Sequence, residues 1–74
     1  MLYNMKIVGA ACRACRIRLN MTQKAVAEKI GVSKELISAF ENGRTNNAVI
    51  LLWYLEHGVH GRVLAYEARD EGWR

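Results

Sequence analysis

Residues Thr22 to Gly43 read TQKAVAEKIGVSKELISAFENG, and the order of small, polar and apolar side chains in this stretch decides the fold. Thr22 is an N-cap residue, whose side-chain oxygen takes a backbone N–H that a first helical turn leaves unpaired. Val26, Ala27 and Ile30 then recur at helical spacing, which predicts a helix of about two turns. Gly31 stops it at a position where a positive φ is cheap only without a side chain. Ser33 caps the next segment, and Leu36, Ile37 and Phe40 repeat at helical spacing until Asn42-Gly43 ends it. Ala27 is small enough for one helix to cross another closely. Ile30, Val32, Ile37 and Phe40 fill the inside of the corner. Lys34, Glu35, Ser38, Ala39 and Asn42 are left on the outer, mostly polar face of the later helix.

Upstream, Val8, Ala11, Cys12, Cys15 and Leu19 fall three and four apart, one face of a helix over Ile7–Leu19 that Asn20-Met21 ends. Downstream, Thr45-Asn46-Asn47 is a polar connection containing N-cap residues. Val49 to His57 reads as a fourth helix, Gly58 and Gly61 punctuate, and Arg62 to Arg69 reads as a last one. The chain has no proline, and its six glycines are scattered. At 74 residues, with 51% hydrophobic and 24% charged side chains, it is expected to be one all-α domain over residues 1–74. Residues 22–43 would form a helix pair and 47–70 the C-terminal helices.

Charge is divided unevenly along the chain. Residues 1–47 hold eight Lys and Arg against three Glu, whereas residues 48–74 hold three Arg against four acids. A basic front and a near-neutral back suit a protein that faces a polyanion on one side. The longest apolar run, Ala48 to Leu55, is far short of the ~20 residues that span a bilayer. Met1 to Lys6 lacks the charged start and long apolar stretch of a secretory signal. Two cysteines in such a chain make no disulfide framework, so a reduced, cytoplasmic protein is expected.

A rigid helix pair that presents one polar, partly basic helix is a helix-turn-helix unit, whose second helix enters the major groove of DNA. From about Val8 to Arg44 the chain resembles the Cro/repressor-type helix-turn-helix family of phage and bacterial regulators. The residues that carry the resemblance are Arg16, Thr22-Gln23, Ala27-Glu28-Lys29-Ile30-Gly31-Val32-Ser33, Ile37-Ser38 and Glu41-Asn42-Gly43-Arg44. The resemblance implies a compact bundle of about five helices, a sequence-specific double-stranded DNA-binding transcriptional regulator, and a homodimer on a palindromic operator.

Carried onto this chain, the resemblance assigns base reading to Lys34 and Glu35 at the start of the recognition helix, with Ser38 and Ala39 one turn later. Lysine suits guanine O6 and N7, and glutamate accepts from cytosine N4. Gln23, at the start of the preceding helix, is assigned to a phosphate, and Ser33, Asn42 and Arg44 to the DNA backbone. Arg16 and Glu41 are assigned a buried structural ion pair. The chain departs from the family at Asn46-Asn47-Ala48, where proline and basic residues are common, and in placing the acid Glu35 close to phosphates. Both departures reduce the expected contacts with DNA.

The remaining features have plainer readings. Cys12-Arg13-Ala14-Cys15 is a lone pair without the further ligands a metal needs, and both sulfurs fall on the inner face of the first helix as small hydrophobes. Gly58 separates His57 from His60, so the two rings need not share a face, and a histidine at a helix end suits the free carbonyls there. No nucleophile with its base and no phosphate-cradling glycine loop is present, so no enzyme, cofactor, metal or small-molecule substrate is expected. The run Val49 to Leu55 is apolar on every side, more than one neighbouring helix covers. Either the last helix, Arg62 to Arg69, covers its outer side within one chain through Val63, Leu64 and Tyr66, or, as expected here, Val49, Leu52 and Trp53 form a surface shared with a second copy. The alternative is an antirepressor or modulator that keeps the fold and docks on another regulator protein through this helix.

Overall fold

The structure is a computed structural model that describes residues 4–59. Within them lie four helices and no strand: α1 Met5–Arg18, α2 Gln23–Ile30, α3 Lys34–Glu41 and α4 Ala48–Glu56. The expected last helix, Arg62 to Arg69, and His60 lie outside the described residues.

Each helix starts on a side chain that accepts a first-turn N–H. Asn4 takes that of Lys6, Thr22 that of Ala25, Ser33 that of Leu36, and Asn47 that of Ile50. Such caps contribute roughly 0.5–2 kcal/mol each. Gly31 ends α2 in the left-handed region at φ 90° and donates its N–H to the Ala27 carbonyl, which lets α3 begin three residues later.

The core gathers one face from every helix: Met5, Val8, Cys12 and Cys15 from α1, Val26 and Ala27 from α2, Ile37 and Phe40 from α3, Ile50 and Tyr54 from α4. Val59 closes it beyond α4. Both cysteines are buried free thiols. Burial pushes the Cys12 thiol up to about 12 from 9.0, with smaller contributions from Cys15 and Glu41.

Three expectations need correcting. The first helix starts at Met5 rather than Ile7, because Asn4 supplies a cap one residue upstream. Leu19 does not join the inner face and is 39% exposed. Helical spacing would carry it inward, but α1 ends at Arg18, and Asn20 at φ 61° turns the chain away. The fourth helix is Ala48–Glu56, and His57 is its C-cap residue.

A glycine sets how closely α3 lies on α1. A Cβ added to Gly9 would stand 2.5 Å from the Glu41 carbonyl oxygen and 2.6 Å from that of Phe40. The end of α3 therefore rests directly on the α1 backbone. This sets how closely the two backbones approach at that point.

Candidate nucleic-acid interface

The outward residues of α3 begin at its first turn. Lys34 and Glu35 are exposed there, Ser38 and Ala39 are half-buried one turn on, and Asn42 is exposed at the C-cap. The half-burial of Ser38 and Ala39 differs from the fully outer face expected for them, whereas Lys34 and Glu35 are exposed as expected. Asn42 does not hang free. Its Nδ2 donates to the Ser38 carbonyl at 2.8 Å, which covers an end-of-helix acceptor. Ser33 Oγ accepts the Leu36 N–H at 3.1 Å, which leaves its own hydroxyl proton to donate outward. Arg44 is exposed just past the Gly43 turn.

Behind this face sits a carboxylate that all four helices share. Glu41 is buried at the end of α3. Arg16 of α1 meets it with both arms of the guanidinium, Nε to Oε2 at 2.8 Å and Nη2 to Oε1 at 3.1 Å. Its third donor, Nη1, closes on the Met21 carbonyl at 2.9 Å and so fixes the α1–α2 connection. Gln23, the first residue of α2, donates from Nε2 to Glu41 Oε1 at 3.2 Å. Tyr54 of α4 donates its hydroxyl to Oε2 at 2.6 Å. Among the described residues no buried side-chain nitrogen or oxygen lacks a partner.

The electrostatics follow from these bonds. Burial on its own would push the Glu41 carboxyl up, but the donors Arg16, Tyr54 and Gln23 and the Arg16 charge outweigh it and hold it below its ordinary value. The bond to Glu41 raises the Arg16 guanidinium in turn. Burial, then the bond to Glu41, pushes the Tyr54 phenol well above its ordinary value. The group is thus a carboxylate with four donor bonds from three side chains, charged and fully satisfied.

Tyr54 is the member that sequence reasoning missed. It stands in an apolar run, where it reads as one more hydrophobic ring. The available signal is its hydroxyl, because a buried tyrosine oxygen needs a partner. The resemblance gives Gln23 a phosphate alone, whereas the structure turns its amide nitrogen inward to Glu41. Its second N–H, its oxygen and the N-terminus of α2 remain.

On α4, Ile50 and Tyr54 face the core, while Val49 is 60% and Leu52 57% exposed. Trp53 lies between these extremes, half-buried, edge-on to Tyr54 at 5.2 Å and stacked on His57 at 4.0 Å. His57 Nδ1 lies 2.7 Å from the Trp53 carbonyl oxygen, a contact that uses a free acceptor at the end of the helix. No group of three or more possible metal ligands occurs among the described residues. Among them, too, no helix is long and apolar enough to cross a membrane.

A family model described as Helix-turn-helix matches residues 13–49, half of the chain. The matched span takes in the second half of α1, all of α2, the Gly31 turn and α3, and ends as α4 begins. No curated protein and no solved structure matches the chain.

Proposed function

The chain belongs to the Cro/repressor-type helix-turn-helix family of DNA-binding regulators, and from that premise we propose that it is a cytoplasmic, sequence-specific regulator that binds a palindromic operator as a homodimer. The observation that carries this reading is the presentation of α3. A short helix shows Lys34 and Glu35 to solvent at its N-terminal end while its C-terminal end is clamped through Glu41. A side chain reads a base edge with useful discrimination only if its backbone is held still, and the clamp holds it. Lys34 and Glu35 read base edges in the major groove, with Ser38 and Ala39 set against the bases one turn on. Gln23, Ser33, Asn42 and Arg44 hold the sugar-phosphate backbone, Gln23 with the donor it keeps beyond Glu41.

Selection of bound duplexes from a random pool tests the proposal. Two half-sites related by a dyad and spaced about 34 Å centre to centre are expected. Recovery of unselected sequence would overturn it.

A second reading keeps the fold and has it dock on another regulator protein, as an antirepressor. The exposed Val49 and Leu52 favour it, as does an acid, Glu35, on the outward face of α3. Copurification with one regulator, and no enriched duplex, is its expected signature.

A further inference from the structure

The last turn of α2 and the outer side of α4 enclose a shallow groove. Lys29 and Ile30 form one wall, and Val49, Leu52, Trp53 and Glu56 form the other. The α4 wall is continuous along the helix, since positions 49, 52, 53 and 56 are spaced three, one and three apart and share a face. Its apolar members include the two most exposed large hydrophobic side chains of that helix. Lys29 and Glu56 are both exposed, and among the described residues neither has an ion-pair partner.

We infer that this groove is where a second copy of the chain docks about a two-fold axis, with Lys29 of each copy set against Glu56 of the other. The inference rests on the homodimer reading above and gives it a surface and a charge code. A two-fold contact is isologous: whatever one copy offers at position i must suit position j of the other, and the reverse. A groove with a cation on one wall, an anion on the opposite wall and apolar groups between them is complementary to its own rotated image. A groove with charge of one sign would repel its copy, and an unrelated partner would require no such balance. Ile30, Val49, Leu52 and Trp53 supply the apolar centre, and the two charge pairs at its margins set the register.

Charge reversal tests this without DNA, by sedimentation of the full chain in the micromolar range. The wild type should sediment as a dimer. Lys29→Glu should set acid against acid, and Glu56→Lys base against base, each weakening association by about tenfold or more. A mixture of the two variants in equal amounts should associate again. In each mixed pair the acid introduced in one variant faces the base introduced in the other, and the unchanged Lys29 faces the unchanged Glu56. Leu52→Glu should give a monomer with unchanged helical circular dichroism, since the side chain is already mostly in water. A wild type that stays monomeric would overturn the inference, with residues 60–74 or another protein covering the groove. A mixture no tighter than its components would overturn the charge pairing. A dimer that behaves as described yet selects no duplex would count against the operator reading and leave this interface standing.

Discussion

The Tyr54 hydroxyl reaches across from α4 to donate to Glu41 Oε2 at 2.6 Å, on the same oxygen that Arg16 Nε holds at 2.8 Å. Two donors from the first and last described helices thus converge on one carboxylate oxygen. Tyr54→Phe keeps the ring, its near-parallel approach to Phe40 at 6.3 Å and its edge contact with Trp53. It removes only the hydroxyl. The expected loss is about 1.5–3 kcal/mol, the usual worth of a hydrogen bond to a charged group, read from urea unfolding. A variant as stable as the wild type would mean that the hydroxyl adds nothing.

Removing either member of the Arg16–Glu41 pair leaves the other charged and largely out of water. Arg16→Met and Glu41→Leu should each cost on the order of 3–5 kcal/mol, a large share of the stability of a small domain. The double variant should be less damaged than the two losses added together. Strict additivity in thermal or urea melts would show that the two groups do not interact.

Gly9→Ala is expected to destabilise, although alanine favours helix by about 1 kcal/mol over glycine. Its Cβ would meet two backbone carbonyl oxygens of α3, and neither can swing aside. Overpacking of this kind costs roughly 1–3 kcal/mol or requires the helices to separate. The variant should melt earlier and lose DNA affinity together. A Gly9→Ala protein that melts later than the wild type would contradict the close crossing.

Stability should peak in a plateau between acid and alkaline limbs. Glu41 is held below its ordinary 4.5, so below that pH the unfolded chain takes up a proton that the native chain refuses. Stability is therefore present above pH 4.5 and falls as pH drops through the lowered native value. At the other end, the Cys12 thiol is raised from 9.0 to about 12, so the unfolded chain ionises first and stability falls across that interval. Tyr54, raised from its ordinary 10.0, adds a limb of the same sign. Urea midpoints across the pH range check the shape, and Cys12→Ala should delay the start of the alkaline limb.

Lys34 and Gln23 should fail in different ways. Lys34 is exposed and makes no bond that holds the fold, so Lys34→Ala should leave the melting temperature alone. It should relax preference at one operator position, at a loss of roughly 1–3 kcal/mol. Gln23→Ala should weaken all duplexes alike and also melt earlier, because Glu41 loses a donor. Equal losses on selected and scrambled duplexes for both variants would remove Lys34 from base reading.

Much of this is legible in the residues, and the reasons are local. Thr22, Ser33, Gly31 and Asn47 announce themselves because capping and positive φ depend on a single side chain and its immediate neighbours. The burial of Cys12 and Cys15 follows from their spacing. Arg16 and Glu41 lie 25 positions apart, and only the resemblance connects them in sequence; the structure places them in contact. Gly9 and Tyr54 cannot be read in this way. A glycine inside a helix signals a close approach without naming what approaches, and an apolar run gives no sign of which ring hides a hydroxyl bond. Leu19 misleads because helical spacing continues on paper past the point where the chain has already turned at Asn20.

The contact of the Gly9 backbone with the end of α3 has a consequence for the nucleic acid. With its carbonyls against α1 and its last carboxylate bonded from three other helices, α3 cannot pivot to improve a poor fit. Accommodation then falls to the duplex. In the proposed operator, base steps that bend or twist at low cost should be favoured between the half-sites, at positions no side chain touches, and stiff ones should be penalised there.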